Sequence, residues 1–386
     1  MENRFFLILS ATGGAGHTRA AHGLEQAAAT FEHPIRVKHY DCLDFTSKAF
    51  KKLYSESYLA IVNRAPELWG YLYTRSESKP YEKKALMRLF DELNYKNYLK
   101  LLKEEQPDVL LCTHFLPYMA VSASLRKAGI FAPVVAVTTD FDAHQYWIDP
   151  IVHRYYVHTE ESAWQLRAKG VPAERISIKG IPVLPQFGHR MKKSEARKKI
   201  GIDEDRLTIL MVWGGFGVGK AEEMVKEVAA MLQIFPEQLF TLMLVCGRNE
   251  KLQQRTSSAE YSHNVQTRVF GFVDNIHELM SAADVLVSKA GGLTSAEAMA
   301  LGLPMVIVDP IPGQETRNAE IIVEQRAGWK ALDIANLGYK LKRIIEDPKL
   351  LESAQIAAAG LGKPNAAHDI LLDVYNLLTK KGSHEN

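Results

Sequence analysis

The sequence predicts an α/β protein made of two doubly wound, Rossmann-like domains that face each other across a cleft. Three observations lead to this prediction: short apolar runs alternate with helix-period segments, these runs are continuously apolar, and a unit of strand, glycine-rich loop and helix occurs twice. Continuous apolar runs are typical of strands covered on both faces, and such strands pair in parallel. Ligands of these sheets bind outside the carboxyl ends of the strands, so we expect the functional residues there.

Strands and helices are predicted in alternation along both halves of the chain. The helix after the first strand shows its periodicity in the alanines and the leucine of residues 20–28. The predicted strands of the first half are Phe5–Ser10, Arg36–Tyr40, Val109–Thr113, Val134–Thr139 and Arg154–His158. Those of the second half are Leu207–Trp213, Leu239–Cys246, Val269–Val273, Val285–Ser288 and Pro304–Val308.

The same unit opens both halves. The first strand leads into Gly13-Gly14-Ala15-Gly16-His17, and Leu207–Trp213 leads into the loop Gly214–Lys220, which starts 201 residues later. We therefore predict an N-terminal domain over 1–180, a proline-containing linker over 181–190 and a C-terminal domain over 191–364. A C-terminal helix is predicted over 365–386, and it could pack back on the N-terminal domain.

Composition narrows the function classes. The chain has 386 residues, 47% of them apolar, and a net charge of only +2, which gives no argument for a nucleic-acid partner. Its three cysteines are scattered without metal-site spacing, which favours a reducing, cytoplasmic compartment. The apolar runs are too short to span a membrane, and the first is too short for a signal peptide.

The first glycine loop carries one titratable side chain, His17. Arg19 stands where a dinucleotide fingerprint needs its third glycine, so no NAD site is predicted. Two interpretations of His17 stay open: a histidine that caps its helix, or a general base facing the cleft. Gly14 and Gly16 would let the backbone approach a ligand.

The second glycine loop has the spacing of a phosphate-binding P-loop, but Ala221 stands where that motif needs Ser or Thr for Mg²⁺. An ATPase is therefore disfavoured. The backbone N–H groups of such a loop can still hold a diphosphate. The loop residues that would do so are Gly214, Gly215, Gly217 and Gly219.

The segment Ser288–Glu297 is the most specific signal. Gly291 and Gly292 follow an apolar strand and precede two good N-cap residues, which predicts an anion-binding helix start. Glu297 is then either an acid favoured by the helix dipole or a carboxylate that accepts hydrogen bonds from a ribose diol. The next loop adds polar groups suited to sugar hydroxyls, and the whole predicts a nucleotide-sugar pocket. These groups are Gln314, Glu315 and Asn318.

Motifs in both halves resemble one enzyme family. They are Gly13–His17, Thr139-Asp140-Phe141, His144 with Trp147, Ala290–Glu297, and Pro312–Glu315 with Asn318. Over nearly the whole chain they are similar to the monogalactosyl- and glucosyl-diacylglycerol synthases. These belong to glycosyltransferase family 28 and are related to the peptidoglycan N-acetylglucosaminyltransferase. The resemblance implies the two-domain glycosyltransferase fold called GT-B.

The resemblance also implies residue roles. The two glycine loops of the C-terminal domain would hold the UDP diphosphate, Glu297 the ribose, and Gln314 and Glu315 the hexose hydroxyls. Phe272 and Val273, at the end of a predicted strand, would present backbone to the uracil, although such residues are also typical of a core. Leu293, Thr294 and Asn318 complete the implied donor set. His17 and Asp140 would lie on the acceptor side with Gly14, Gly16, His144 and Trp147.

The implied reaction moves glucose or galactose from a UDP-sugar to the hydroxyl of diacylglycerol, with inversion, giving a glycolipid. Either His17 or Asp140 would be the base. No paired Asp motif of metal-dependent glycosyltransferases is present, so we expect no metal or other cofactor beyond the UDP-sugar co-substrate. Helix dipoles and backbone N–H groups would then stabilise the leaving diphosphate.

Residues 48–100 form a basic, aromatic segment. It holds eleven Lys and Arg against six acids, a net +5, together with seven tyrosines and Trp69. By periodicity alone it is a core helix with a solvated face. A diacylglycerol acceptor favours docking on anionic lipids instead, at the inner face of the cell membrane. The expected membrane residues are Lys51, Lys52, Lys83, Lys84, Trp69, Tyr71 and Tyr73.

Three alternatives stay open at this point. The acceptor could be polyprenyl-linked or soluble. The chain could be a UDP-sugar epimerase, an isomerase that can share this fold. It could also bind nucleotide sugars without catalysis. One sequence does not decide between a glucose and a galactose donor.

Overall fold

The computed structural model describes residues 3–12, 15–48, 50–52, 54, 65–78, 96–122, 124–189, 191–213 and 220–382. The chain divides into two compact units. The first comprises Met1–Pro185, Pro312–Gln314 and Asn365–Asn386, and the second comprises Gln186–Ile311 and Glu315–Pro364. The division after Pro185 falls in the segment that was expected to be a linker.

A six-stranded parallel sheet forms the centre of the first unit, in the order β2-β1-β3-β4-β5-β6. Its strands are β1 Arg4–Ser10, β2 Ile35–Asp41, β3 Val109–Cys112, β4 Val134–Val137, β5 Val152–Val157 and β6 Ile176–Ile178. The helices of this unit are Ala15–Ala28, Pro66–Ser78, Leu116–Met119, Glu160–Ala168 and Ala366–Gly382, and residues 96–105 are also helical.

Both faces of this sheet are covered. Along β1, Phe5, Leu7 and Leu9 belong to one apolar cluster, whereas Phe6 and Ile8 belong to another on the opposite face. The second cluster includes residues of the helices Ala15–Ala28 and Ala366–Gly382. Because each strand buries side chains on both faces, its sequence is continuously apolar. Each fully buried Leu, Ile or Phe contributes about 1.5–3 kcal/mol.

A second six-stranded parallel sheet forms the centre of the second unit, in the order β12-β11-β10-β7-β8-β9. Its strands are β7 Leu207–Val212, β8 Phe240–Val245, β9 Val265–Phe270, β10 Val285–Ser288, β11 Met305–Ile307 and β12 Gly328–Lys330. Its helices are Lys193–Ile200, Ala221–Leu232, Glu250–Ser257, Ile276–Ala282, Gly292–Ala300, Gln314–Glu324, Ile334–Glu346 and Pro348–Leu361.

The predicted fold class is confirmed, and the differences lie at sheet edges. The prediction of a strand over Val269–Val273 is wrong in extent, because β9 spans Val265–Phe270 and ends before Phe272. Because β9 is an edge strand, residues near its start are polar and half-buried, and they lack the continuous apolar pattern from which a strand start is predicted. The strands β6 and β12 were not predicted, because each is a three-residue edge strand without an apolar run. Among the described residues, no helix is long and apolar enough to cross a bilayer.

Candidate functional site

His17 lies in the first turns of the helix that follows β1, at the carboxyl end of the first sheet. Its Nδ1 is 3.0 Å from the carbonyl oxygen of Thr113 and 2.8 Å from Oγ1 of Thr139. A carbonyl oxygen can only accept, so Nδ1 must carry the proton, and Thr139 Oγ1 accepts from the same N–H. The lone pair of the neutral ring therefore resides on Nε2.

Burial lowers the pKa of His17 to about 4, and the hydrogen bond to the Thr113 backbone opposes this only in part. The ring of His114 meets the ring of His17 edge to face, with centroids 4.4 Å apart. Burial, and then the nearby His17, lowers the pKa of His114 well below its usual range. Both rings are therefore neutral at pH 7, and His17 can accept a proton there.

A cavity in the first unit brings these groups together with aromatic side chains. His17 and Asp140, the two candidate bases, both line it. His144 and Trp147, predicted on the acceptor side, line it as well. Trp69 and Tyr73 add apolar surface to the same cavity. The arrangement combines proton-accepting groups with an amphipathic wall, which suits an acceptor that has one hydroxyl and an apolar body.

Both ring nitrogens of His144 have partners. Its Nδ1 accepts from the backbone N–H of Tyr146, so Nε2 carries the proton and lies 3.2 Å from the Tyr73 carbonyl oxygen. Glu77 lies 3.4 Å from the same Nε2 and accepts a hydrogen bond from Lys169. His144 is therefore held between the helix Pro66–Ser78 and the turn Gln145–Trp147, and both of its ring nitrogens are engaged.

The helix Pro66–Ser78 has two different faces. Trp69 and Tyr73 lie on the cavity side, where Trp69 Nε1 donates to Gln314 Oε1 at 2.9 Å. Gly313 has a φ of +96°, and a Cβ there would lie 2.9 Å from the Tyr73 ring, so only glycine fits. A neighbouring face carries exposed apolar side chains. These are Leu68, Tyr71 and Leu72, which are 51%, 59% and 36% exposed.

The basic residues expected at the membrane differ in their surroundings. Lys51 is paired with Asp44 and lies 3.8 Å from Asp41, and the hydrogen bond to Asp44 raises the pKa of its ammonium group. Its charge is thus partly offset within the fold. Lys52 is exposed. Lys83 and Lys84 lie outside the described residues.

In the second unit, the segment Ser288–Glu297 forms a strand end followed by a helix start, as the sequence predicts, but the helix begins before the two expected N-cap residues. Thr294 and Ser295 lie inside the helix Gly292–Ala300, which has no side-chain hydrogen bond at its N-cap. Gly291 is the N-cap of the helix Gly292–Ala300, which begins directly after β10 at the carboxyl edge of the sheet. Leu293 and Thr294 lie in the first turn. Glu297 lies on the same helix and is only 3% exposed. It lies beyond the first turn, which holds no acid, so the helix dipole does not explain this carboxylate. A buried carboxylate suits acceptance of hydrogen bonds from a diol.

Glu315 and Asn318 adjoin this glycine turn. Oε2 of Glu315 accepts from the backbone N–H of Ile311 at 2.7 Å, and its Oε1 faces Gly291, where a Cβ would lie 3.6 Å away. Asn318 is fully buried, and its amide donates to the Ala290 carbonyl oxygen at 3.0 Å. Asn318 therefore holds the turn that precedes Gly291.

Phe272 is not a core residue: it follows β9 and is 59% exposed, with the Arg248 guanidinium carbon 5.3 Å from its ring centroid. Val273 is half-buried beside it. Gly16 lies in the first turn of the helix Ala15–Ala28. Five glycines for which roles were predicted lie outside the described residues, namely Gly14, Gly214, Gly215, Gly217 and Gly219.

Sequence reasoning missed several residues of these sites. Thr113 and His114 directly follow β3, and Arg248 follows β8 by three residues, so each stands at a strand's carboxyl end. That position was a usable signal. No sequence signal pointed to Glu77, because its contacts with His144 and Lys169 join distant parts of the chain.

Comparison with known proteins identifies the family to which the chain belongs. The family model for monogalactosyldiacylglycerol (MGDG) synthase matches residues 17–183, and that for the glycosyltransferase family 28 C-terminal domain matches residues 209–370. A processive diacylglycerol beta-glucosyltransferase of Bacillus pumilus is 30% identical over 375 residues, which cover 96% of this chain and 94% of that protein.

Solved structures share the fold. MurG of Acinetobacter baumannii superposes with a TM-score of 0.64 at 16% identity and covers 98% of this chain and 99% of its own. UDP-GlcNAc 2-epimerase from Neisseria meningitidis, bound to UDP-GlcNAc, gives 0.59 at 16% identity, covering 96% and 100%. The two family models together, and the full-length relative, show that the chain belongs to the monogalactosyl- and glucosyl-diacylglycerol synthases of glycosyltransferase family 28.

Proposed function

We propose that the chain transfers glucose or galactose from a UDP-sugar to the hydroxyl of diacylglycerol, with inversion, to make a β-linked glycolipid. The observation that carries the proposal is His17: a neutral imidazole with its lone pair on Nε2, in a cavity walled by Trp69 and Tyr73. The name of the Bacillus pumilus relative supports the acceptor and favours glucose as the sugar.

In this reaction the acceptor oxygen attacks the anomeric carbon, the bond from that carbon to the diphosphate oxygen breaks, and UDP leaves. The acceptor proton passes to His17 Nε2, with Asp140 as the competing base. The residues proposed to bind the donor are those of the turn Gly291–Thr294, the glycine loop 214–219, Glu297, Gln314, Glu315, Phe272 and Val273. The N-terminus of the helix Gly292–Ala300 would stabilise the leaving diphosphate, so we propose that no metal is required.

We also propose a division of labour between parts of the chain. Residues 1–180 would handle the acceptor, residues 191–364 the donor, and the exposed face of the helix Pro66–Ser78 would contact lipid. Leu68, Tyr71 and Leu72 give that face its apolar character. Basic residues such as Lys52, with Lys83 and Lys84, would add attraction to anionic lipids. The chain would then work peripherally, at the cytoplasmic face of the membrane.

The test is incubation with radiolabelled UDP-glucose or UDP-galactose and vesicles that contain diacylglycerol. We expect label in the organic phase from one donor, and an initial rate lower by on the order of 10²-fold or more when His17 is replaced by Ala. Conversion of UDP-sugar alone into its epimer, without lipid product, would show an epimerase instead. Label that appears only with polyprenyl or water-soluble acceptors would refute the diacylglycerol assignment.

A further inference from the structure

A cluster of metal-ligating side chains lies outside the sites described above. His22 and Glu25 are three residues apart on the helix Ala15–Ala28, so they share one face of it. His39 projects from β2, the edge strand of the first sheet. The ligand atoms of these three residues all lie within 4.8 Å of one another. None of the three lines the cavity that holds His17.

The separations fit a metal after small movements. In a tetrahedral zinc site with bonds of 2.0–2.1 Å, two ligand atoms stand about 3.4 Å apart. His22 and Glu25 are exposed, so rotation of their side chains can bring them that close without repacking a core. The rings of His22 and His39 already meet edge to face, with centroids 5.2 Å apart.

His39 is also oriented by a second group. Its Nε2 lies 2.9 Å from Oγ of Ser10, the last residue of β1. Since imidazole has two ring nitrogens, His39 can keep this hydroxyl on one and ligate through the other. An outer hydrogen bond that sets the ring orientation is usual for metal-binding histidines.

The charge around the cluster suits a cation. Glu25, Asp41 and Asp44 all act on His39 as negative charges.

We propose that His22, Glu25 and His39 form a site for a zinc-like divalent transition metal, with water completing the coordination. Two imidazoles and one carboxylate are a ligand set that zinc accepts. The metal would tie the helix that carries His17 to the edge strand β2. Its role would be to brace this part of the fold, and the transfer reaction would not pass through it.

Cobalt provides the direct test. Untagged protein, stripped with a chelator and dialysed, is titrated with Co²⁺ while its visible absorption is followed. We expect one equivalent to give d–d bands, and Zn²⁺ to displace it. His22→Gln and Glu25→Gln, which change exposed side chains, should each weaken binding at least about 10-fold. His263→Gln removes an exposed histidine of the second unit and should bind as the parent does.

A thermal measurement gives a second readout. Zinc at 100-fold excess over its Kd should raise the Tm of the parent by on the order of 5 °C, because it binds only the folded state. His39→Gln should lose this rise even if its own Tm is lower. Equal Co²⁺ affinity of the parent, His22→Gln and Glu25→Gln would overturn the proposal, as would a stoichiometry that falls only in His263→Gln.

Discussion

Two threonines determine which nitrogen of His17 can take a proton. The Thr113 carbonyl and Thr139 Oγ1 both engage Nδ1, which leaves the lone pair on Nε2. We predict that His17→Ala lowers kcat by on the order of 10²–10⁴ while UDP affinity, measured by calorimetry, changes little. Thr139→Val keeps the shape of the side chain but removes one hydrogen-bond partner of Nδ1, and it should lower kcat by a smaller factor. If Asp140→Asn costs far more than His17→Ala, Asp140 is the base.

The low pKa of His17 predicts an unusual pH profile. The base must be neutral, and the folded-state pKa is about 4 rather than 6.5. Activity should therefore stay level from pH 7 down to about 5 and fall as pH passes through 4. The measurement is kcat/KM at each pH, obtained from initial rates on a water-soluble diacylglycerol. An acid limb at 6.5 would contradict the burial of His17.

The same shift makes stability depend on pH. Below pH 6.5 the unfolded chain binds a proton at His17 that the folded chain does not bind until pH 4, and His114 adds to the effect. The stabilising contribution is therefore complete above pH 6.5 and is lost as pH falls from 6.5 toward 4. Circular dichroism at each pH of the rate measurements separates this loss from loss of the base.

Glu297 tests the donor assignment at a buried position. Glu297→Gln keeps the volume of a side chain that is 3% exposed but removes its charge. If the carboxylate accepts from the ribose diol, UDP binding should weaken by about 1.5–3 kcal/mol. Glu223→Gln, at an exposed glutamate of the helix Ala221–Leu232, is the matched control. Unchanged UDP affinity in a folded Glu297→Gln protein would refute the ribose role.

The helix Pro66–Ser78 has one face that lines the cavity and one face with exposed apolar side chains. Trp69 holds Gln314 on the cavity side, whereas Leu68 and Tyr71 stand exposed on the other. Leu68→Ser with Tyr71→Ser should weaken vesicle binding roughly tenfold or more, since each apolar side chain loses burial in lipid. Activity on a water-soluble acceptor should not change.

Trp69→Phe, on the cavity side of this helix, should affect catalysis rather than vesicle binding. It loses one hydrogen bond, about 0.5–1.5 kcal/mol, and should lower kcat/KM on vesicles and on water-soluble acceptor alike. Tyr339→Ser, at a tyrosine of the second unit that is 53% exposed, is the control for vesicle sedimentation. If the Leu68→Ser/Tyr71→Ser protein and the parent bind vesicles equally, the exposed face of the helix Pro66–Ser78 does not contact lipid.

In the proposed reaction, backbone N–H groups and a helix dipole stabilise the leaving diphosphate. We therefore predict that EDTA leaves the initial rate of sugar transfer unchanged. Loss of zinc from the His22, Glu25 and His39 cluster would lower Tm and leave that rate intact below the melting range. Complete loss of transfer that Mg²⁺ or Mn²⁺ restores would show that a metal takes part in the reaction.

The amino-acid sequence was enough to predict the fold class and the glycine turn at Gly291 and Gly292 that follows β10. Strands buried on both faces must be continuously apolar, as Phe5–Ser10 and Leu207–Val212 are, and the turn from β10 into the next helix is made by Gly291 and Gly292. These are local requirements, so they leave a local pattern. The edge strands β6 and β12 leave none, because they are short and only partly covered.

The protonation, partners and exposure of each polar side chain depend on its surroundings in three dimensions. His17 and His144 look alike in sequence, yet one keeps Nε2 for a proton while the other has partners on both nitrogens. Trp69 and Tyr71 are two residues apart in a single aromatic run. Trp69 nevertheless donates a hydrogen bond to Gln314, whereas Tyr71 is mostly exposed to solvent. A ring's tautomer, pKa and exposure depend on neighbours from distant segments, and periodicity and composition do not encode these neighbours.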